Sequence, residues 1–291
     1  MSASLERRVT DFVTERIGPV ASSRRLSGGD VAHSYAVDLV DGGRVFAKTH
    51  AASPDGFFTT EAAGLSWLRE PDVVNVPEVL AVADDPPVLV LEWIPLGGGA
   101  RRSQDGEVDF GRSLARLHRT GASMFGRQDG RTTGSRGLPN EQRSTWPEFY
   151  ASQRLLPLAR LAAEAYALPS ETVAGLERIA GRLPDLVGPP EHPARLHGDL
   201  WAGNRVIDDT GRSWLIDPAC FGGHREFDLA MMRLFGGFDD AVFSAYQEDW
   251  PLADGHEERV LLMQLAPLTV HAIKFGGPYV SATADAVARY R

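Results

Sequence analysis

The stretch LHGDLWAGN, residues 196–204, is followed by WLIDP, residues 214–218, after nine further residues. Within such a loop, an aspartate can accept a hydroxyl proton while an asparagine five positions later holds Mg²⁺. Asp199 and Asn204 have this spacing, and Asp217 follows at a predicted strand end, where it can be the main Mg²⁺ ligand. The pattern indicates phosphoryl transfer. The alternative is that HGD is an ordinary turn and that Asp217-Pro218 only stops a strand.

The hydrophobic pattern around this stretch predicts an α+β protein with a β-rich first part and a helical second part. The first part is predicted to contain a helix over 4–17, strands over 35–40 and 45–48 with a turn at 41–43, a helix over 60–68, and strands over 79–82 and 88–91. The second part is predicted to contain helices over 107–119, 150–166, 171–183 and 265–275, a long loop over 121–145, and strands over 205–208 and 213–216. We therefore expect a two-lobed, protein-kinase-like fold, with a small antiparallel-sheet N-lobe over residues 1–94 and a larger α-rich C-lobe over residues 95–291.

Composition excludes several classes of protein. With 291 residues, 43% hydrophobic and 24% charged, the chain can bury a sizeable core. A net charge of −9 argues against nucleic acid as a partner. Cys220 is the only cysteine, so the chain has no internal disulfide and no cysteine-based zinc cluster. No apolar signal segment or membrane span is apparent, and we expect a cytoplasmic monomer that does not bind membranes.

The predicted N-lobe contains candidate nucleotide-binding residues. Gly28 and Gly29 precede a strand, and their backbone N–H groups could cover phosphates; two glycines alone are usually only a tight turn. Lys48 ends a strand, where its ammonium could reach the α- and β-phosphates, and Glu61 on the next helix could hold it as an ion pair. A solvated lysine at a strand end is the alternative.

The segment Glu92-Trp93-Ile94 follows an apolar strand at the predicted lobe boundary. Its backbone could bind the adenine edge while its side chains supply an apolar slot. A simple linker between the lobes is the alternative interpretation.

The sequence resembles the fructosamine (ketosamine) 3-kinase family. The tryptophan within HGDLWAGN is its most distinctive mark, because the related aminoglycoside and choline/ethanolamine phosphotransferases usually have other residues at that position. Further similarity extends over nearly the whole chain, at 125–126, 146–150, 153–155, 215–219, 223–231, 234–238 and 271–279. The sequence departs from the family at His224, where an acidic residue is common, and in lacking the glycine-loop cysteine of some relatives, so a redox switch at that loop is not supported.

The resemblance implies ATP- and Mg²⁺-dependent phosphorylation of the sugar 3-hydroxyl of ketosamines, either free or on protein lysines. Asp199 would be the base and Asn204 and Asp217 the metal ligands. Two other interpretations stay open. One is another small-molecule kinase, acting on an aminoglycoside or an amino alcohol. The other is a non-catalytic, nucleotide-binding pseudokinase, although such a scaffold has no chemical need for Lys48, Asp199, Asn204 and Asp217 together.

Three further positions are candidates for supporting the reaction. By the resemblance, Asp228 would lie at a helix start and accept hydrogen bonds from the catalytic loop near His197; a simple helix cap is the alternative. Trp201 could form an apolar wall against the substrate, or it could belong to the core. His271 lies on an apolar helix and is a candidate substrate contact, although a lone histidine there is more often a core residue.

Overall fold

The computed structural model describes residues 2–27, 32–96, 103–131 and 137–290. The chain forms two compact units. The first contains Met1–Gly106 and Arg205–Pro218, and the second contains Glu107–Asn204 and Ala219–Arg291. In the described ranges, no helix combines the length and apolar character that crossing a membrane requires.

The first unit is built on a five-stranded antiparallel sheet with the strand order β1-β2-β3-β5-β4. Its elements are α1 (Ser2–Arg16), β1 (Val20–Leu26), β2 (His33–Leu39), β3 (Arg44–Thr49), α2 (Phe57–Arg69), β4 (Val79–Asp84) and β5 (Pro87–Glu92). Helix α1 packs Val9, Phe12 and Val13 against one face of the sheet, in a cluster with Val45 and Ala47 of β3. Because side chains alternate along a strand, Lys48 points to the opposite face of β3 from Ala47.

A second hairpin, β7 (Arg205–Ile207) and β8 (Ser213–Leu215), belongs to the same unit although it comes much later in the chain. The N–H of Leu215 donates to the carbonyl oxygen of Asn75 over 2.9 Å, and the Asn75 side chain donates to the carbonyl oxygen of Ser213, also over 2.9 Å. These bonds fix the hairpin to the first unit and so determine where Asp217 lies in it.

The second unit is mainly helical around one large apolar core. Its elements are α3 (Gln104–Arg119, which begins in the first unit), α4 (Trp146–Tyr150), α5 (Leu156–Glu164), α6 (Ser170–Leu186), β6 (Ala194–Leu196), β9 (Phe221–Gly223), α7 (Glu226–Leu234), α8 (Asp240–Asp249), α9 (His256–Phe275) and α10 (Pro278–Ala288). The core gathers Phe149, Tyr150 and Phe221, which are almost completely buried, with leucines of α5, α6 and α9. Strand β6 pairs with β9 in a short antiparallel ladder, and this ladder carries the LHGD stretch.

The fold departs from the sequence-based expectations in detail. The helix expected over 150–166 is three consecutive segments: α4, one turn of π-helix over Ala151–Leu155, and α5. The π-turn carries Arg154, whose buried guanidinium lies 4.8 Å from the Phe149 ring and 4.3 Å from the Phe221 ring. Because a π-turn adds one residue to the helical repeat, a regular 3.6-residue pattern does not predict it.

Candidate active site

The LHGD stretch leaves β6 and is fixed at once to the segment that follows Asp217. The N–H of Ala219 donates to the carbonyl oxygen of His197 over 2.9 Å. Gly198 has φ of +81°, and a Cβ atom there would lie 2.2 Å from the Ala219 carbonyl oxygen. Only glycine satisfies both conditions, so the chain can turn here and present Asp199 in the loop.

Bonds within the loop orient its polar side chains. The N–H of Asp199 donates to Nδ1 of His197 over 3.3 Å. Nδ2 of Asn204 donates to the Asp199 carbonyl oxygen over 2.8 Å and to its Oδ2 over 3.2 Å. Both bonds are donated by the amide nitrogen of Asn204, and they fix the orientation of its side chain within the loop.

Asp228, the third residue of α7, holds the same loop by its backbone. Its Oδ2 accepts from the N–H of His197 over 2.7 Å, and its Oδ1 accepts from the N–H of Gly198 over 2.9 Å. Both His197 and Asp228 are fully buried. Since a buried carboxylate needs donors, these bonds stabilise the carboxylate and the loop together.

In the first unit, Lys48, Glu61 and Asp217 form a cluster of charged side chains. The ammonium of Lys48 donates to Glu61 over 2.8 Å and also to a carboxylate oxygen of Asp217. Lys48 is buried, whereas the Asp217 side chain is 43% exposed. Burial alone would lower the pKa of Lys48, but the two carboxylates raise it above its ordinary value. The cluster therefore places the Lys48 cation between a largely buried carboxylate and an accessible one.

The backbone at Asp217 is unusual. Its φ is +53°, and only two other non-glycine residues in the described ranges have a positive φ. Such conformations are uncommon, and they concentrate at sites where a side chain must be aimed. Asp217 has this conformation two residues after the end of β8 and directly before Pro218.

Asp208 supports that hairpin from within. Its buried carboxylate accepts hydrogen bonds from the N–H and hydroxyl of Thr210, the N–H and Nε of Arg212, and Nε1 of Trp214. Burial by itself raises the pKa of Asp208, but the bonds from Thr210, Trp214 and Arg212 outweigh it and hold the pKa well below its usual range. Sequence analysis overlooked Asp208, although an aspartate followed by Asp-Thr-Gly is a turn signal.

Asp208→Asn should destabilise the protein by about 1–3 kcal/mol near pH 7. The NH₂ group of the asparagine would face N–H and O–H donors from which the carboxylate accepts hydrogen bonds, so those bonds would be lost. The folded-state pKa is depressed, so the contribution of Asp208 is complete above the unfolded pKa of about 3.9 and is lost as pH falls below it. Urea unfolding at pH 7 and pH 3 should therefore show a gap between wild type and variant that narrows at pH 3. The exposed neighbour Asp209→Asn is the control, and a gap independent of pH would contradict this assignment.

Trp201 lies outside the core, with 42% of its surface exposed. Its ring folds over Gly203, where a Cβ atom would lie 2.2 Å from the indole. The Phe235 ring meets it edge-on at 6.4 Å and lies 4.9 Å from the ring of His271. Tyr279 is 5.1 Å from His271. Trp201, Phe235, His271 and Tyr279 thus form a partly exposed aromatic cluster. Because Trp201 is two residues after Asp199, the loop leads directly from Asp199 to this cluster.

His271 has a defined tautomer in this cluster. Its Nδ1 lies 2.8 Å from the carbonyl oxygen of Pro267 and must donate to it. Burial lowers the pKa of His271, so the ring is neutral near pH 7. Nε2 is then the hydrogen-bond acceptor of the ring.

The remaining predicted residues are placed as follows. The Glu92 carboxylate accepts from the N–H of Glu78 over 3.1 Å, and its backbone continues β5. Trp93 is half-buried with Arg44 5.3 Å from its ring, and Ile94 is also half-buried. Gly28 and Gly29 lie outside the described residues. Cys220 is buried, and burial raises the pKa of its thiol, which argues against thiol reactivity.

Oxygen ligands suitable for Mg²⁺ are present in the site. Among the described residues, no three His, Cys, Asp or Glu side chains group together as a metal site. Mg²⁺ bound with a nucleotide needs no such protein cage, since it takes one or two protein oxygens and completes its shell with phosphates and water. The Asp217 carboxylate of the first unit and the Asn204 side-chain oxygen of the second unit are each ligands of the type that Mg²⁺ takes.

Comparison with known proteins gives one consistent result. The sequence profile of the fructosamine kinase family matches residues 3–290. A Synechocystis protein provisionally named a ketoamine kinase is 35% identical over 268 residues, covering 89% of this chain and 87% of that protein. Mouse ketosamine-3-kinase is 31% identical, covering 89% of this chain and 92% of that protein. A crystal structure of a Thermobifida fusca protein provisionally named fructosamine-3-kinase has a TM-score of 0.88 at 41% identity, covering 97% of each chain.

More distant structures share the architecture. An aminoglycoside phosphotransferase in ternary complex with AMP-PNP and hygromycin B matches with a TM-score of 0.64 at 16% identity, covering 97% of this chain and 96% of that one. A choline kinase of Streptococcus pneumoniae matches with a TM-score of 0.63 at 14% identity, covering 98% of each chain. At these identities the likeness concerns the fold alone. It confirms the predicted α+β, protein-kinase-like fold.

Proposed function

The chain belongs to the fructosamine kinase family, and from this premise we propose that it transfers the γ-phosphoryl group of ATP to the 3-hydroxyl of ketosamines. These are Amadori products, in which a fructose or ribulose unit is attached to an amine or to a protein lysine. The observation that supports this proposal most directly is the arrangement of the LHGDLWAGN loop. Asn204 is hydrogen bonded to Asp199 within the loop, and Asp228 of α7 accepts hydrogen bonds from the backbone of His197 and Gly198. A 3-phosphorylated ketosamine is prone to eliminate and free the amine, so the consequence is deglycation.

Asp199 is proposed as the base that accepts the proton of the attacking hydroxyl. The loop that carries Asp199 is held by hydrogen bonds of its backbone. The carboxylate is therefore positioned for proton transfer before the substrate binds. Asn204 and Asp217 would hold Mg²⁺, which neutralises charge on the β- and γ-phosphates when bound.

Lys48 is proposed to bind the α- and β-phosphates, and Glu61 to hold its ammonium. The largely buried Lys48–Glu61 pair supports this role, because the ion pair fixes the direction of the ammonium group. Gly28 and Gly29 are proposed to cover the phosphates, and Glu92, Trp93 and Ile94 to bind the adenine.

Trp201 and His271 are proposed to contact the ketosamine. The exposed indole offers an apolar face, and the neutral His271 ring offers Nε2 as an acceptor for a sugar hydroxyl or the amine. We further expect a cytoplasmic monomer.

A panel of acceptors tests the proposal. ATP consumption with Mg²⁺ is measured on fructoselysine, ribuloselysine and deoxymorpholinofructose, with kanamycin and choline as competing classes. Turnover on the ketosamines alone is the expected result. Turnover on kanamycin or choline would assign the chain to one of the other kinase activities, and no turnover on any acceptor would favour a non-catalytic protein.

A further inference from the structure

A chain of buried hydrogen bonds leads to Asp228 from the side opposite the catalytic loop. Nε2 of His118, near the end of α3, lies 3.3 Å from Oδ2 of Asp228. Nδ1 of the same ring lies 2.9 Å from the hydroxyl of Tyr246 on α8. All three side chains are at most 1% exposed, so water does not compete for these bonds.

The direction of each bond follows from the chemistry of its partners. An ionised carboxylate can only accept, so Nε2 of His118 carries the hydrogen and donates to Asp228. In a neutral ring Nδ1 then accepts, and the Tyr246 hydroxyl donates to it. Burial raises the pKa of Tyr246, which keeps its hydroxyl protonated. One tautomer of His118 therefore satisfies every group in the chain.

This series of hydrogen bonds is also fixed at its outer end, at Tyr246. The guanidinium of Arg225 hydrogen bonds to the Tyr246 side chain and forms two bonds of 2.9 and 2.8 Å with the carboxylate of Glu191. It donates in addition to the carbonyl oxygens of Trp250 and Pro251, each over 2.8 Å. Tyr246 is thus held by a group that is itself held at four points.

At the inner end, Asp228 has three donors, and two of them are the N–H groups of His197 and Gly198. The third is His118. Without that donor, the two backbone N–H bonds alone hold the Asp228 carboxylate, and no side chain of α3 fixes its orientation. We propose that His118 is a positioning residue for the reaction: it orients Asp228 and, through the backbone of His197 and Gly198, sets the place of Asp199.

This inference rests on the proposed function, because it concerns how Asp199 is aligned for phosphoryl transfer. Displacement of a reacting group by about 1 Å can cost about 10²-fold in rate without affecting substrate binding equally. His118 is therefore expected to act on kcat more than on KM.

Two substitutions separate the two nitrogens of the ring. The amide nitrogen of glutamine can take the place of Nε2, so His118→Gln keeps a donor for Asp228. Asparagine is shorter and reaches only the place of Nδ1, so His118→Asn keeps a partner for Tyr246 and loses the donor. We expect His118→Asn to lower kcat by about 10- to 100-fold with KM for ATP and ketosamine within about 2-fold, and His118→Gln to restore most of that loss. The exposed His192→Asn should match wild type.

Hydrogen exchange provides a measurement that does not need turnover. The amides of His197 and Gly198 should exchange about 10-fold faster or more in His118→Asn than in His118→Gln, while amides of the core strand β5 keep their rates. Equal kcat and equal exchange in the two variants would overturn the proposal. A wild type inactive on ketosamines would refute the proposed function, and the exchange comparison would still decide whether His118 holds the loop. If His118→Asn does not fold, His118→Phe, which keeps a ring at this position and removes the donor to Asp228, replaces it in both measurements.

Discussion

Asp199→Asn should lower turnover of a ketosamine by about 10²- to 10⁴-fold, the usual contribution of a general base. An asparagine at this position can still accept the 3.2 Å bond from Asn204, and the backbone bonds of the loop do not involve the carboxylate. The fold and the binding of ATP should therefore persist. The measurement is kcat under saturating ATP together with the Kd for a non-hydrolysable ATP analogue.

The control is Asp209→Asn, which removes an exposed carboxylate ten positions further along the chain. It should leave both kcat and nucleotide binding unchanged. If Asp199→Asn turns over like wild type, Asp199 is not the base. If it loses nucleotide binding as well, the loss of activity is not specific to proton transfer, which would also contradict the assignment.

Lys48→Met should lower turnover by about 10²- to 10³-fold, as expected when a preorganised cation is removed from a reacting phosphate. It should also destabilise the protein by about 3–5 kcal/mol, because the Glu61 carboxylate is then buried without its cation. Leaving Asp217 without Lys48 costs less free energy, because 43% of its side chain is exposed and water can hydrate the carboxylate. Urea unfolding and kcat/KM for ATP are measured on the same preparations.

The double variant Lys48→Met/Glu61→Leu separates the two effects. Replacing both members of a buried ion pair by apolar groups is often neutral, so the free energy of unfolding should return to within about 1 kcal/mol of wild type while activity stays low. Arg112→Met, which loses only an exposed pair with Glu248, is the control and should change neither quantity. Recovery of activity along with stability would show that Lys48 is only structural.

The parts of the site that sequence reasoning could predict are those with short-range spacing. Asn204 returns to Asp199 within one loop, and the strand pair that follows ends at Asp217. The short β-type run over 45–48 correctly predicted a strand carrying Lys48, which extends over Arg44–Thr49, and the next helix carries Glu61. In each case the local period of the chain determines the element, and the side chain of interest lies at its end.

The parts that could not be predicted depend on distant contacts or on weak patterns. Strand β1 contains Ser22, Ser23, Arg24 and Arg25 and lies at the edge of the sheet, so it lacks the alternation of a half-buried strand. Strands β6 and β9 have three residues each, too few for a period. His118 and Asp228 are 110 positions apart, and nothing in either local sequence indicates the other.

One signal in the composition was overlooked. The chain has 30 cationic residues besides histidine, yet only Lys48 and Lys274 are lysines. A lysine ammonium is a compact point charge that binds phosphates and can be shared by two carboxylates, whereas arginine is a planar fork. A lysine at a strand end in so arginine-rich a chain is therefore consistent with a specific chemical role at that position.

The most direct test of the proposed function is the position of the phosphate in the product. Wild-type protein is incubated with ATP, Mg²⁺ and deoxymorpholinofructose, and the product is followed by phosphorus and proton NMR, with Asp199→Asn in parallel. The account predicts a new phosphomonoester whose phosphorus couples to the proton on sugar carbon 3, formed by wild type and nearly absent with the variant. A phosphate on another hydroxyl, or ATP hydrolysis with no phosphorylated sugar, would contradict it.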